Sequence, residues 1–309
     1  MKLTQLNDKF SISGILTFSE AASGLIYASI DHAPCKAQIY LHGAHLTQWQ
    51  PEGKQAVIFL SDKSLFVAGK AIRGGIPIIF PWFGARSATA DSPRTDGPAH
   101  GFARTSEWEM VSSALIDSEI HLEFRLQPSD LTRALGYDGF ELLYELRIGT
   151  TLDLRLVLYN RGATPFHFEE ALHAYFAVGD VERISIAGLD DTDFCDKTDG
   201  FKIKHQQDRL LTLHGETDRP YLNTAAAVTL NDPSFQRRII VEKSNSKTTV
   251  IWNPWIEPSA KLADMSPDGW RHMVCIEAAN LGSDAVVVPP CESHTLAVLV
   301  RFESMDSQL

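Results

Sequence analysis

Apolar and polar residues alternate along much of this chain. Leu122, Phe124 and Leu126 are separated by Glu123 and Arg125, and Leu142, Tyr144, Leu146 and Ile148 repeat the spacing further on. Leu152, Leu154, Leu156 and Leu158 follow, interleaved with Asp153, Arg155 and Val157. A period of two puts successive side chains on opposite faces of a strand, so each run predicts a strand with an apolar face. Gly149-Thr150-Thr151 between the last two runs predicts a hairpin connection. The pattern returns at Ile239–Glu242 and Thr249–Trp252 around the polar turn Ser244-Asn245-Ser246-Lys247. It appears again at Ala285–Val288 and Thr295–Phe302, on either side of Pro289-Pro290. Helical periodicity is scarce, and only Pro128–Leu135 and Ser259–Met265 predict short helical turns. Many strands divided by turns, with few helices, predict an all-β fold, a large antiparallel β-sandwich or barrel. No repeat, low-complexity tract or change of composition marks a boundary, so residues 1–309 read as one β domain. Ser87–Ala99, rich in Ser, Thr, Asp, Gly and Pro, predicts a surface loop.

Composition narrows the partners. The chain has 309 residues with 28 Lys or Arg against 39 Asp or Glu, a formal net charge of −11. That balance argues against nucleic acid, whose binders present a basic face, and against electrostatic attachment to an anionic membrane. Cys35, Cys195, Cys275 and Cys291 lie far apart and form no Cys-x-x-Cys pair, which predicts reduced thiols instead of a disulfide framework. Met1–Asp8 lacks the apolar core of a secretory signal. The longest apolar stretch, Ile76–Ala85, is broken by Pro77 and Pro81 and is too short to span a bilayer. A soluble cytoplasmic protein is expected.

Charge is not evenly spread. Between Lys70 and Arg104 five basic residues (Lys70, Arg73, Arg86, Arg94, Arg104) face two acids (Asp91, Asp96), a local +3 in a chain of −11. Arg86 and Arg94 read as solvated loop charges. Arg73 precedes Gly74-Gly75, and Arg104 ends His100-Gly101-Phe102-Ala103-Arg104. Glycines let backbone approach a ligand closely, and a planar guanidinium there suits a phosphate or a sugar hydroxyl.

Three further groups could carry chemistry. On a strand, His167, Glu169 and His173 would share a face, as in a two-histidine, one-carboxylate metal site. Their spacing matches neither His-Glu-x-x-His nor His-x-His, and favours structural roles over ligation. His42 and His45, three residues apart, would point opposite ways on a strand and read as structural. Glu277 sits among apolar residues in Val274–Ala279, which predicts burial and an upward pressure on its pKa. It is either half of a structural ion pair or a catalytic acid/base. Asp218 could equally be a turn residue bonding its own backbone.

Leu41-His42-Gly43-Ala44-His45, Ala71-Ile72-Arg73-Gly74-Gly75-Ile76-Pro77, His100–Arg104, Ala171–Phe176, Thr217-Asp218-Arg219, Trp252-Asn253-Pro254 and Cys275-Ile276-Glu277 occur in this order. Together they resemble the hexose-6-phosphate mutarotases, the glucose-6-phosphate 1-epimerase branch of the aldose 1-epimerase superfamily. The resemblance runs from about residue 40 to the C-terminus. It implies a β-supersandwich with an open sugar cleft and no metal or other cofactor. It implies His173 as general acid and Glu277 as general base, and the opposite charges of such a pair would favour both ionised forms against desolvation. Arg73, Arg104 and Asp218 are implied as substrate contacts and His100 as a sugar-binding histidine. One position departs: Ala99 stands where some members have Gln. The implied activity interconverts the anomers of a hexose 6-phosphate, in a monomer with no nucleic-acid or membrane partner. Two rivals remain at this point. One is a metal-dependent, cupin-type sugar-phosphate isomerase built on His167, Glu169 and His173. The other is a carbohydrate-binding module without catalysis.

Overall fold

The expected hairpin forms in register. Phe140–Ile148 and Leu152–Asn160 pair antiparallel with Ile148 opposite Leu152, and the Gly149 N–H donates to the Thr151 carbonyl at 2.9 Å. A computed structural model of the chain describes residues 1–88 and 93–305. Within these residues the hairpin lies in a nine-stranded sheet that also holds Glu109–Ile116, Glu119–Leu126, Arg237–Ser244 and Ser293–Ser304. An eight-stranded sheet runs Lys202–Gln206, Thr192–Asp196, Thr217–Tyr221, Thr248–Asn253, Met273–Asn280, Glu170–Leu172, Ile78–Ile79, with Tyr175–Ala177 pairing beside Glu170–Leu172 on Met273–Asn280. Leu16–Glu20, Ile26–His32, Cys35–Tyr40 and His45–Pro51 make a four-stranded sheet. The architecture is therefore all-β and antiparallel, as expected.

The two large sheets meet across one core. Leu142, Tyr144, Leu146 and Ile148 of the first belong to the same buried cluster as Ile251, Val274, Ile276 and Ala278 of the second. Burying these alternate positions removes apolar surface from water, at roughly 25 cal/mol per Å². Both faces of Met273–Asn280 are covered, since all eight of its residues are buried. The polar turn at Ser244–Lys247 carries the chain from the nine-stranded sheet to the eight-stranded one, so its flanking strands do not pair with each other.

Several local expectations change. A helical turn forms at Asp130–Ala134, within Pro128–Leu135, capped by the Ser129 hydroxyl. The second lies at Ile256–Ser259, upstream of the expected Ser259–Met265. Pro258 is tolerated there because the first turn of a helix needs no N–H from it. A helix at Leu3–Phe10 was not foreseen; it buries Leu6 and Phe10, spaced for one helical face. The described part of Ser87–Ala99 is free of strand and helix, while residues 89–92, including Asp91, lie outside the described residues. Arg86 is no solvated charge. Its guanidinium lies 4.8 Å from the Trp82 ring centre and 5.2 Å from that of Tyr137, and donates to the Leu135 carbonyl at 3.1 Å. Arg94 pairs with Asp96 at 2.6 Å on the surface. Among the described residues no helix is long and apolar enough to cross a membrane.

Candidate active site

Strand pairing places the first key side chain. Glu170–Leu172 pairs with the Ala278–Asn280 end of Met273–Asn280, and Tyr175–Ala177 pairs with its Met273–Cys275 end. His173 falls in the interruption between them, level with Glu277. Its backbone N–H is taken by the Pro77 carbonyl at 3.0 Å, and its ring stacks on Tyr175 at 4.9 Å between centres. His173 Nε2 lies 3.3 Å from Glu277 Oε1, with both side chains buried. His173 Nδ1 and Glu277 Oε2 have no hydrogen-bond partner. Burial pushes the Glu277 carboxyl well above its usual range, opposed by the nearby Lys197 charge. Burial pushes the His173 imidazole well below its usual range, assisted by His100 and Arg104. Desolvation thus favours the neutral form of each group and opposes the ionised pair that their opposite charges would favour.

Arg73 sits on a loop held from below. Gly74 and Gly75 both have positive φ, and a Cβ at Gly75 would lie 2.3 Å from His45 Nε2. His45 Nε2–H donates to the Gly74 carbonyl at 2.8 Å, and His42 Nε2–H to the Lys70 carbonyl at 2.7 Å. The two histidines thus serve the same loop instead of facing opposite ways. The reason is that Gly43 and Ala44, both at positive φ, turn the chain between them. Arg73 itself donates to Asp264 Oδ1 at 3.1 Å and to the Tyr175 hydroxyl at 3.2 Å.

The His100–Arg104 segment forms a second wall. His100 adopts positive φ beside Gly101, where a Cβ would lie 1.9 Å from the Phe80 carbonyl oxygen. The Gly84 N–H donates to His100 Nδ1 at 3.2 Å, which leaves the proton of the neutral ring on Nε2. Burial lowers the His100 pKa to about 3, so the ring stays neutral. Arg104 donates to the Ala99 carbonyl at 2.8 Å, so the backbone of Ala99 steadies this guanidinium whatever its side chain. Among the described residues Arg104 has no carboxylate partner, and its Nε is buried without an acceptor.

Asp218 lies on Thr217–Tyr221, opposite Trp252, and pairs with Lys197 at 3.0 Å. It is a strand residue, not a turn residue. Arg73, His100, Arg104, His173, Asp218 and Glu277 all line one cavity of about 360 Å³. Lys197 and Phe83 line it too, with the Lys197 ammonium 5.0 Å from the Phe83 ring centre. Sequence reasoning missed Lys197, Phe83 and Asp264, because nothing in their local context sets them apart from surface or core residues.

The metal triad does not assemble. His167 is exposed on Phe166–Phe168, which pairs with Val286–Val288, and Glu169 accepts from the Phe83 and Gly282 N–H groups at 2.8 and 2.7 Å. Alternation relates side chains only along a continuous strand, and this one is broken at Glu169. Among the described residues the potential ligands that do gather are His173, Cys275 and Glu277.

The model of a protein family, aldose 1-epimerase, matches residues 27–301. A Salmonella typhimurium protein named "putative glucose-6-phosphate 1-epimerase" is 36% identical over 248 residues, covering 80% of this chain and 81% of its own. An Escherichia coli K12 protein of the same name is 36% identical over 272 residues, 88% of each chain. The crystal structure of a Salmonella typhimurium protein named "putative mutarotase (YeaD)" superposes with a TM-score of 0.88 at 32% identity over 96% of both chains. The galactose 1-epimerase of Lactobacillus acidophilus NCFM shares the fold, with a TM-score of 0.72 at 16% identity over 94% of this chain and 98% of its own.

Proposed function

The chain belongs to the aldose 1-epimerase family, and on that premise we propose that this isomerase interconverts the α and β anomers of an aldohexose 6-phosphate. One observation carries the mechanism: a buried carboxyl and imidazole 3.3 Å apart, each with an unpartnered polar atom, at the wall of a sugar-sized cavity. Ring opening needs a proton to leave the O1 hydroxyl while another reaches the ring oxygen O5. Each group must lie about 3 Å from the atom it serves. In this reading Glu277 as carboxylate takes the O1 proton and His173 as imidazolium gives its proton to O5.

The pair reaches that state from its neutral form by moving one proton between Glu277 and His173. Once the ring opens, the carboxyl is again protonated and the imidazole neutral. Burial favours that neutral pair, so desolvation pulls toward the open-chain aldehyde. Rotation about C1–C2 and closure with the roles reversed yields the other anomer.

The phosphate goes to Arg104, whose guanidinium lacks a carboxylate of its own and can make short, charge-assisted bonds. Lys197, paired with Asp218, lines the same cavity. Arg73, the His100 Nε2–H and Asp218 serve as contacts to the sugar. The reading takes residues 1–309 as one domain, supported by a core cluster running from Leu6 to Val300. It also takes the protein as a cytoplasmic monomer that needs no cofactor and binds neither nucleic acid nor membrane. NMR exchange spectroscopy on glucose 6-phosphate, with free glucose and galactose alongside, tests it. Enzyme-dependent anomer exchange, fastest on the phosphate, is expected; its absence on all three sugars would overturn the reading.

A further inference from the structure

Cys275 and Glu277 are two apart on Met273–Asn280, so their side chains leave the same face of that strand. His173 enters from the interruption beside them. One nitrogen, one sulfur and one oxygen of these residues all lie within 4.8 Å of one another, and all three side chains are buried. The epimerase reading uses only two of them.

Tetrahedral zinc with bonds of roughly 2.0–2.2 Å to nitrogen and oxygen sets those two ligands about 3.4 Å apart. His173 Nε2 and Glu277 Oε1 already stand 3.3 Å apart. The remaining atoms His173 Nδ1 and Glu277 Oε2 have no partner, so no other hydrogen bond holds either head group away from a metal. A thiolate and a carboxylate together neutralise a divalent ion, and Asp264 and Asp218 pair with the nearby Arg73 and Lys197.

We propose that a borderline-soft divalent cation of the zinc type binds at His173, Cys275 and Glu277 and inhibits the enzyme by occupying its acid and base. The metal–sulfur bond forms as the thiol proton leaves to solvent, and three protein ligands leave a fourth position for water. The inhibition rests on the roles assigned to His173 and Glu277 under the proposed function. The binding does not.

The test separates the two. Zinc binding to the intact protein is measured calorimetrically without sugar, and anomer exchange is measured without metal and then at buffered free zinc. One zinc per chain is expected, with exchange lost in proportion to occupancy. Cys275→Ser and Cys275→Ala should retain exchange but need at least about tenfold more zinc for equal inhibition, since even loss of a ligand's outer partner costs that much affinity. Cobalt(II) gives a second readout: sulfur-to-metal charge-transfer absorption in the wild type, absent from both variants. No zinc binding to the wild type, or equal inhibition of wild type and both variants, overturns the proposal. Missing exchange in the metal-free wild type overturns the epimerase reading instead, while the zinc titration still decides the site.

Discussion

Arg73 Nε lies 3.1 Å from Asp264 Oδ1, so this arginine brings its own counter-ion to the cavity it lines. Arg104, on the same cavity, is held by the Ala99 carbonyl and forms no direct ion pair among the described residues, feeling Asp264 and Glu277 only at longer range. Two arginines that look alike in sequence are therefore electrostatically different, since only Arg73 is paired directly with an acid.

That difference predicts which arginine reads the phosphate. The net charge of −11 repels anions at long range, but such a field is screened beyond roughly 8 Å at physiological ionic strength. A hydrogen bond to a charged group is worth about 1.5–3 kcal/mol. Arg104→Ala should lower kcat/KM for glucose 6-phosphate by about tenfold to a hundredfold and that for glucose far less. Equal losses on both sugars would assign Arg104 to the ring or to the fold.

Glu277 and His173 should act as one unit. Each proton transfer is typically worth about 10²–10⁴-fold, so Glu277→Gln and His173→Asn should each slow exchange by at least that range. Groups that serve one step are not additive, so the double variant should be little slower than either single one. Near-wild-type exchange in a folded single variant would remove that residue from the step and make His100 the next candidate acid.

Hemiacetal opening moves only protons and needs no hydride, electron or group carrier. Prolonged dialysis against a strong chelator should leave exchange unchanged, or raise it if zinc had been bound. Loss of activity that a divalent ion restores would revive the metal-dependent isomerase.

His45 should make the fold sensitive to acid. Burial lowers its pKa to about 3 from 6.5, opposed by its bond to Gly74 and assisted by His42 and Arg104. The unfolded chain takes up a proton below pH 6.5 that the folded chain refuses. Stability from this group is therefore complete above pH 6.5 and falls as pH drops toward 3, by up to about 1.4 kcal/mol per pH unit. Denaturant titrations of wild type and His45→Gln between those limits should show a shallower pH slope in the variant. Identical slopes would show that some other group carries the acid sensitivity.

Much of the molecule is legible in its letters. Period-two runs announced the hairpin at Phe140–Ile148 and Leu152–Asn160, because alternation is a local property that pleated backbone enforces. Glu277 announced itself as a charge in an apolar strand, and that strand is buried along its whole length. The helix at Leu3–Phe10 was there to be read in Leu6 and Phe10 as well, but a short amphipathic run carries little signal beside so many strands.

Other features were beyond any local pattern. His167, Glu169 and His173 read as one face, yet the strand breaks at Glu169 and its two halves pair with different partners. His42 and His45 read as divergent, yet a turn at positive φ sends both to the Arg73 loop. Lys197 and Asp264 gave no sign of the cavity they serve, since Arg73 meets Asp264 across 191 residues of chain. By itself the sequence determined the strands, their apolar faces and which side chains could do chemistry, since these follow from neighbours a few residues apart. Which of those side chains meet, and which arginine is paired directly with an acid, was decided only by tertiary structure. Strand continuity, register and burial depend on partners far along the chain, and proximity, desolvation and charge pairing follow from them.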